Sequence, residues 1–144
     1  MTSPTQAQHL AAAATPSVSV PATAEQLGLM RAMVRAAADH HGLPMDALAD
    51  LTLAVDEAAT TLINHARHST ALICAFDTAT NPAVLRVTLT ATTSSPVDAS
   101  TSSFGWLVLK TLVDHVALEQ TPAETTGGDR TTTITMEKAL PANS

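Results

Sequence analysis

LTLAVDEAATTLINHA, residues 51–66, is the stretch whose reading decides the fold. Leu51, Val55, Ala58 and Leu62 recur at three- and four-residue intervals and therefore share one stripe of an α-helix. Leu48 continues the stripe back towards Pro44, whose fixed φ suits a helix start, and the pattern predicts a helix that ends near Arg67. The same stretch carries polar groups in a regular row, with Glu57, Thr61 and Asn64 at i, i+4 and i+7. Such a row can face a ligand, with the carboxylate as general base or water orienter and a neighbour one turn on helping to hold a metal. From spacing alone, a solvated stripe on an amphipathic helix is the favoured reading.

Working towards the N-terminus, Thr23 and Gln26 have the spacing of a capping box. Leu27, Met30, Val34 and Ala38 then follow at helical intervals until Gly42, which predicts a first helix over 24–41. Before it, Ser17 to Val20 alternate small polar and β-branched residues and stop at Pro21, the signature of a short strand at a sheet edge. Residues 1 to about 15 read as a disordered tail. Towards the C-terminus, the apolar run Ala71–Phe76 and the β-branched segment with Val84, Val87 and Leu89 predict two strands joined at Asn81-Pro82. Residues 92–103, rich in Ser and Thr, read as a loop. Leu109, Leu112 and Val113 predict a third helix over Trp106–Val116. Val116–Gln120 and Thr131–Met136 predict two further strands around a Gly127-Gly128 turn. This order implies an α+β, two-layer sandwich with helices on one face of a mostly antiparallel sheet, a single domain over 16–140 with a short tail at 141–144.

Composition narrows the function classes. The chain of 144 residues is 45% hydrophobic but only 2% aromatic, so its core must be built from Ala, Leu, Val and Ile, with Phe76, Phe104 and Trp106 as the large rings. A formal charge of -6 with seven Lys and Arg argues against direct nucleic-acid binding and against anionic membranes, both of which need clustered positive charge. No stretch approaches the roughly 20 apolar residues that span a bilayer. Cys74 is the sole cysteine and forms no internal disulfide, which is compatible with a cytoplasmic protein. His65 and His68 are i, i+3 and His40-His41 are adjacent, but the spacing places no third ligand, so no metal site is expected. No strained G-x-S-x-G turn is present for Ser-His-Asp chemistry.

Residues 53–66, LAVDEAATTLINHA, resemble the N-box helix of the RsbW and SpoIIAB anti-sigma kinases, whose fold is the GHKL ATPase/kinase fold. In that helix a Glu is followed four residues later by Asn. Glu57 matches the Glu, and Thr61 stands in place of the Asn. FGWLVLKTLVDHV, residues 104–116, is similar to the family's glycine-started helix and the strand after it, and Thr132-Thr133-Ile134 is similar to its closing strand. LAVDE combined with SFGW is most similar to the actinobacterial branch. The matching segments and the element order cover Ser17 to Leu140.

The resemblance implies roles that this sequence only partly keeps. Active relatives use the Glu as base, the Asn for magnesium and a D-x-G-x-G loop for adenine; here that loop is Ala91, Thr92, Thr93, Ser94 and Ser95. The later G-x-G retains Gly105 but has Ser103 at its first position, and no glycine lies between Gly42 and Gly105. Glycine is what permits close backbone approach to a ligand. A hydrogen bond to a charged group contributes roughly 1.5–3 kcal/mol, so loss of the adenine-reading Asp alone corresponds to about 10- to 100-fold in affinity. Weak binding of magnesium-ATP or ADP is the most that Thr61, Ala91, Thr93, Ser95, Ser103, Gly105 and Thr132 are expected to support. The implied partners are a SigF-type sigma factor and a STAS-domain antagonist, and the implied assembly is a homodimer. A gapless alignment through Glu57 puts Arg31 on the arginine that relatives use for both partners, and Arg35 stands one turn from it. An active serine/threonine kinase with Glu57 as base is the competing expectation. A third is that the fold serves as an interaction module for an unrelated regulator.

Overall fold

In the computed structural model, which describes residues 16–100, 103–121 and 128–141, five strands form one sheet with three helices packed against it. In chain order these are β1 (Ser17–Pro21), α1 (Leu27–His41), α2 (Met45–His65), β2 (Ala71–Ala79), β3 (Val84–Thr93), α3 (Phe104–Leu112), β4 (His115–Gln120) and β5 (Arg130–Ala139). The strands lie in the order β1-β2-β3-β5-β4, and every neighbouring pair is antiparallel. β1 is an edge strand, as its Pro-terminated sequence predicts. The N-terminal tail, residues 142–144 of the C-terminal tail and Gly127 of the predicted glycine turn lie outside the described residues.

Alternation along the strands sorts the two faces. Leu85, Val87, Leu89 and Ala91 of β3 are buried, as are Leu72, Cys74 and Phe76 of β2 and Ile134 and Met136 of β5. Against them lies α2 with Leu51, Ala54, Val55, Ala58, Ala59 and Leu62, flanked by α1 with Met30, Val34 and Ala38. The alanines have no bulk to hold the layers apart, which suits a core almost without rings. Phe76 is the one Phe inside it, since Phe104 is 80% exposed.

Helix ends follow local chemistry. Gly42 adopts φ 75°, its N–H donates to the Ala38 and Asp39 carbonyls, and Leu43 N–H donates to Ala38 O at 2.9 Å, with the Leu43 side chain buried beneath. This is the Schellman ending, and only a residue that tolerates the left-handed region closes it without strain. The predicted capping box at Thr23 does not form. Gln26 N–H bonds the Thr23 carbonyl at 3.1 Å and closes a 3₁₀ turn over Ala24–Gln26, so α1 begins at Leu27. The Thr23 side chain instead bonds the Glu25 carboxylate and holds it below its ordinary pKa.

The third helix is shifted relative to the prediction. It starts at Phe104, where the Ser103 hydroxyl accepts Trp106 N–H at 3.3 Å, and it stops at Leu112 rather than Val116. Val113 is extended, and Asp114 N–H donates to Glu137 O, so pairing with β5 captures the chain one turn early. β3 likewise runs to Thr93, two residues into the stretch read as loop.

Cys74 has no exposed surface, and burial pushes its thiol up to about 12 from the ordinary 9.0. The folded state therefore holds a proton that the unfolded state releases above pH 9.0, and stability falls as pH rises from there towards about 12. The folded protein is expected to resist iodoacetamide at pH 8 and to become labelled at one site in denaturant. Intact mass spectrometry checks this, and full labelling without denaturant would contradict the packing of β2.

Candidate functional site

Asp56 and Glu57 straddle α2. Consecutive helical residues are turned by about 100°, so two adjacent carboxylates address different neighbours. Asp56 reaches α1, where it accepts from Arg31 Nε at 2.9 and 3.0 Å. Glu57 reaches α3, where a Cβ added to Gly105 would collide with its Oε1. A glycine in the first turn of α3 thus lets the carboxylate come close to the positive end of that helix. Gly105 is required here by this approach and not by an unusual φ.

One turn beyond Glu57, the Thr61 hydroxyl donates to the Glu57 carbonyl at 2.9 Å, the back-bonding common to Thr within helices. Asn64 is exposed another turn on. His65 Nδ1 pairs with Ser95 Oγ at 2.8 Å, and Ser94 N–H donates to His65 O at 3.0 Å, which fastens the chain after β3 to the end of α2. An isolated bridge between Ala66 and Thr93 and a bond from Arg67 N–H to Thr92 O reinforce the seam. Farther along, Val97 is buried, and its backbone N–H and C=O both bond the Gln120 side-chain amide, at 2.9 and 3.1 Å.

Beneath this seam the sheet supplies Ala91, Thr93 and Thr132, all on the core-facing side. Ala91 is 2% exposed and lies in register between Leu72 and Thr132. Thr93 and Thr132 are fully buried, with their hydroxyls 2.7 Å apart. Arg130, opposite Thr93 in the register, has a buried Nε with no hydrogen-bond partner among the described residues. Thr93→Val is expected to cost about 1–3 kcal/mol because it strands the Thr132 hydroxyl, whereas Thr93→Val with Thr132→Val is expected to lie close to wild type. Urea denaturation of the four proteins in the cycle measures the coupling.

The residues singled out in the sequence thus fall into two groups. Glu57, Thr61, Ala91, Thr93, Ser95, Ser103, Gly105 and Thr132 converge on the C-terminal half of α2, the ends of β3 and β5 and the start of α3. Arg31 lies across α2 from them, half-exposed, and Arg35 is exposed one turn on. Among the described residues the Arg31 Nη groups make no hydrogen bond, so the outer prongs of its guanidinium remain open to an acceptor. Leu53, 57% exposed, is i−3 from Asp56 and so lies on the same side of α2.

The sequence reading missed Asp56, Gln120 and Arg130, and it weighed His65 only as a metal ligand, whereas its ring pairs with Ser95. Asp56 and Arg31 are 25 residues apart and share no local pattern. Val97 did carry a signal, as the one large apolar residue within the Ser- and Thr-rich stretch after β3, and it marks where that stretch is pinned. Among the described residues no three His, Cys, Asp or Glu side chains form a group that could hold a metal. A cavity of about 690 Å³ between the β1–α1 and α2–β2 connections is lined by Pro21, Ile63, Arg67 and Thr70 among others, and by none of the residues assigned to nucleotide or partner binding. No described helix is long and apolar enough to cross a membrane.

Comparison with known proteins agrees with this layout. Two curated relatives are the anti-sigma-F factors RsbW of Mycobacterium tuberculosis strains CDC 1551 / Oshkosh and ATCC 25618 / H37Rv, each 36% identical over 99 residues, or 69% of this chain. The match takes in 58% of each relative, so the chain spans less than two thirds of their length. Residues 20–138, from within β1 to the penultimate residue of β5, match the histidine kinase-like ATPase domain, and the chain belongs to that family.

Proposed function

We propose that the protein is an anti-sigma factor that sequesters a SigF-type sigma factor, yields it to a STAS-domain antagonist competing for an overlapping surface, and works without a productive nucleotide site. The observation that carries this reading is the contrast between the two flanks of α2. On one flank Asp56 presents a half-exposed Arg31 beside the exposed Leu53, a combination suited to an acidic and partly apolar protein face. On the other flank the hydroxyls of Thr61, Thr93, Ser95 and Thr132 already have hydrogen-bond partners within the protein.

The donor set supports the second half of the proposal. Ala91 offers no acceptor to an adenine amino group, and a longer side chain there would enter the core. The Thr61 hydroxyl is used on its own helix, Ser95 is held by His65, and Thr93 and Thr132 satisfy each other. Glu57 then serves as a structural carboxylate at the start of α3. The names of the relatives support the first half, since both are anti-sigma-F factors.

A homodimer in the cytoplasm completes the reading. Support for the dimer is the outer face of the sheet, where Ala75, Thr88, Thr135 and Ala117 form an uncharged row across the strands and Ile73 is 42% exposed. Sedimentation equilibrium is expected to give twice the chain mass.

Incubation with γ-labelled ATP and STAS-domain proteins tests the nucleotide part. No transfer is expected. Transfer that is abolished by Glu57→Gln would establish the kinase instead.

A further inference from the structure

α3 has two apolar sides, and the core uses one of them. Leu109 is buried, and Trp106 and Leu112 pack partly against the core. On the other side Phe104, Leu107, Val108 and Thr111 follow at i, i+3, i+4 and i+7, the spacing of a stripe that ordinarily packs on another helix. Phe104 on this stripe is 80% exposed and Leu107 45%. Together with Leu112 these four residues line a groove of about 250 Å³ that is almost entirely apolar.

The stripe does not stand alone. Glu57 meets Gly105 at the start of α3, and at its end Lys138 Nζ donates to the Leu112 carbonyl at 2.8 Å and to Asp50 at 3.3 Å. α3 therefore runs antiparallel to the Asp50–Glu57 stretch of α2. Leu53 lies one turn from each of these acids and one turn before Asp56, so it stands on the ridge between the α3 flank and the Arg31 flank. Among the described residues six large apolar side chains are exposed, and three of them, Leu53, Phe104 and Leu107, fall on this one surface. An exposed apolar patch rimmed by polar groups marks a protein interaction site.

Charge defines the margins. Arg31 and Arg35 on α1 border the Leu53 side, and Lys110 on α3 borders the far side of the stripe. Arg35 and Lys110 make no ion pair or hydrogen bond among the described residues, whereas Asp50 and Asp56 are already paired with Lys138 and Arg31. The margins therefore offer unspent positive charge around an apolar centre.

We infer that the sigma-binding surface extends from Arg31 across Leu53 to the outer stripe of α3, and that it receives an amphipathic helix of the sigma factor with acidic residues flanking an apolar face. The inference rests on the sigma-binding reading proposed above and deepens it. Continuity supplies one argument, since Leu53 joins the Arg31 surface to α3 without a gap in the helical layer. Complementarity supplies the other: an apolar helix face fits the groove, and acids on its two sides meet Arg31 and Arg35 on one margin and Lys110 on the other. Phe104 is the anchoring aromatic of such a contact.

Surface plasmon resonance with a SigF-type sigma factor and the full chain tests this, with Arg31→Glu as reference. Phe104→Ala is expected to weaken binding about 30-fold, the effect of losing one anchoring aromatic, and Leu107→Glu at least as much. Both side chains are exposed, so the urea midpoints are expected to stay at the wild-type value. Lys110→Glu is expected to slow association about fivefold with little change in dissociation. Wild-type affinity in Phe104→Ala and Leu107→Glu, beside lost binding in Arg31→Glu, would overturn this inference alone. Faster association in Lys110→Glu would overturn it as well, because the partner's margin would then be basic. Loss of antagonist binding or of the dimer in these variants, with sigma binding intact, would overturn it in favour of that occupant. No binding of the sigma factor by the unaltered chain would overturn the underlying reading and this inference with it.

Discussion

Ala91→Asp is expected to destabilise the protein by about 3–5 kcal/mol and to confer no measurable affinity for ATP. The family resemblance implies an adenine-reading acid at position 91, so under the alternative that one side chain has merely been lost the substitution would restore binding. Here the site is 2% exposed, in register between Leu72 and Thr132, and the neighbouring hydroxyls of Thr93 and Thr132 already bond each other. A carboxylate there must either stay charged in an apolar layer or break that pair. Against the 5–15 kcal/mol typical of a domain, such a loss shows as a large drop in the urea midpoint. Denaturation together with calorimetric titration of magnesium-ATP checks both halves. A stable variant that binds ATP would mean that the crevice is intact and lacks only its acid.

Arg31→Glu is expected to weaken capture of the sigma factor by about 30- to 100-fold or more while leaving thermal stability nearly unchanged. The small stability effect follows from exposure: the Arg31–Asp56 pair joins side chains that are 50% and 28% exposed, and such pairs contribute at most about 1 kcal/mol. The binding effect follows from the same geometry. Asp56 holds Nε and orients the guanidinium fork, so reversal both removes the donor and sets two carboxylates beside one another. Arg31→Lys, which retains charge but not the fork, is expected to fall between. Surface plasmon resonance against the sigma factor and calorimetric melting separate the two effects. A variant that binds as wild type would remove α1 from the interface.

Much of the fold was legible because its elements obey strong periodicities. α2 carries six buried residues on one stripe, and β3 alternates between buried and half-buried residues along most of its length. The end of α3 was not legible, because Leu109, Leu112, Val113 and Val116 fit a helix equally well, and the choice was made by pairing of Asp114 with Glu137 across the sheet. The same limit governs the candidate site. Glu57 and Gly105 could be named from motif, but their mutual contact arises only where α2 and α3 cross. Thr93 reads as a loop residue and Thr132 as a strand residue, and only the register of β3 and β5 makes them a buried pair. Arg31 could be named by alignment, whereas Asp56, which orients it, became visible only when α1 packed against α2.

The central claim is that a nucleotide-binding fold here serves to hold a protein and no longer needs the nucleotide. Its most direct test is calorimetric titration of a SigF-type sigma factor into the full chain, once in EDTA and once with millimolar magnesium-ATP. The account predicts binding in both, with dissociation constants equal within about twofold, a difference under 0.5 kcal/mol. Binding that appears only with magnesium-ATP, or that tightens tenfold in its presence, would contradict it.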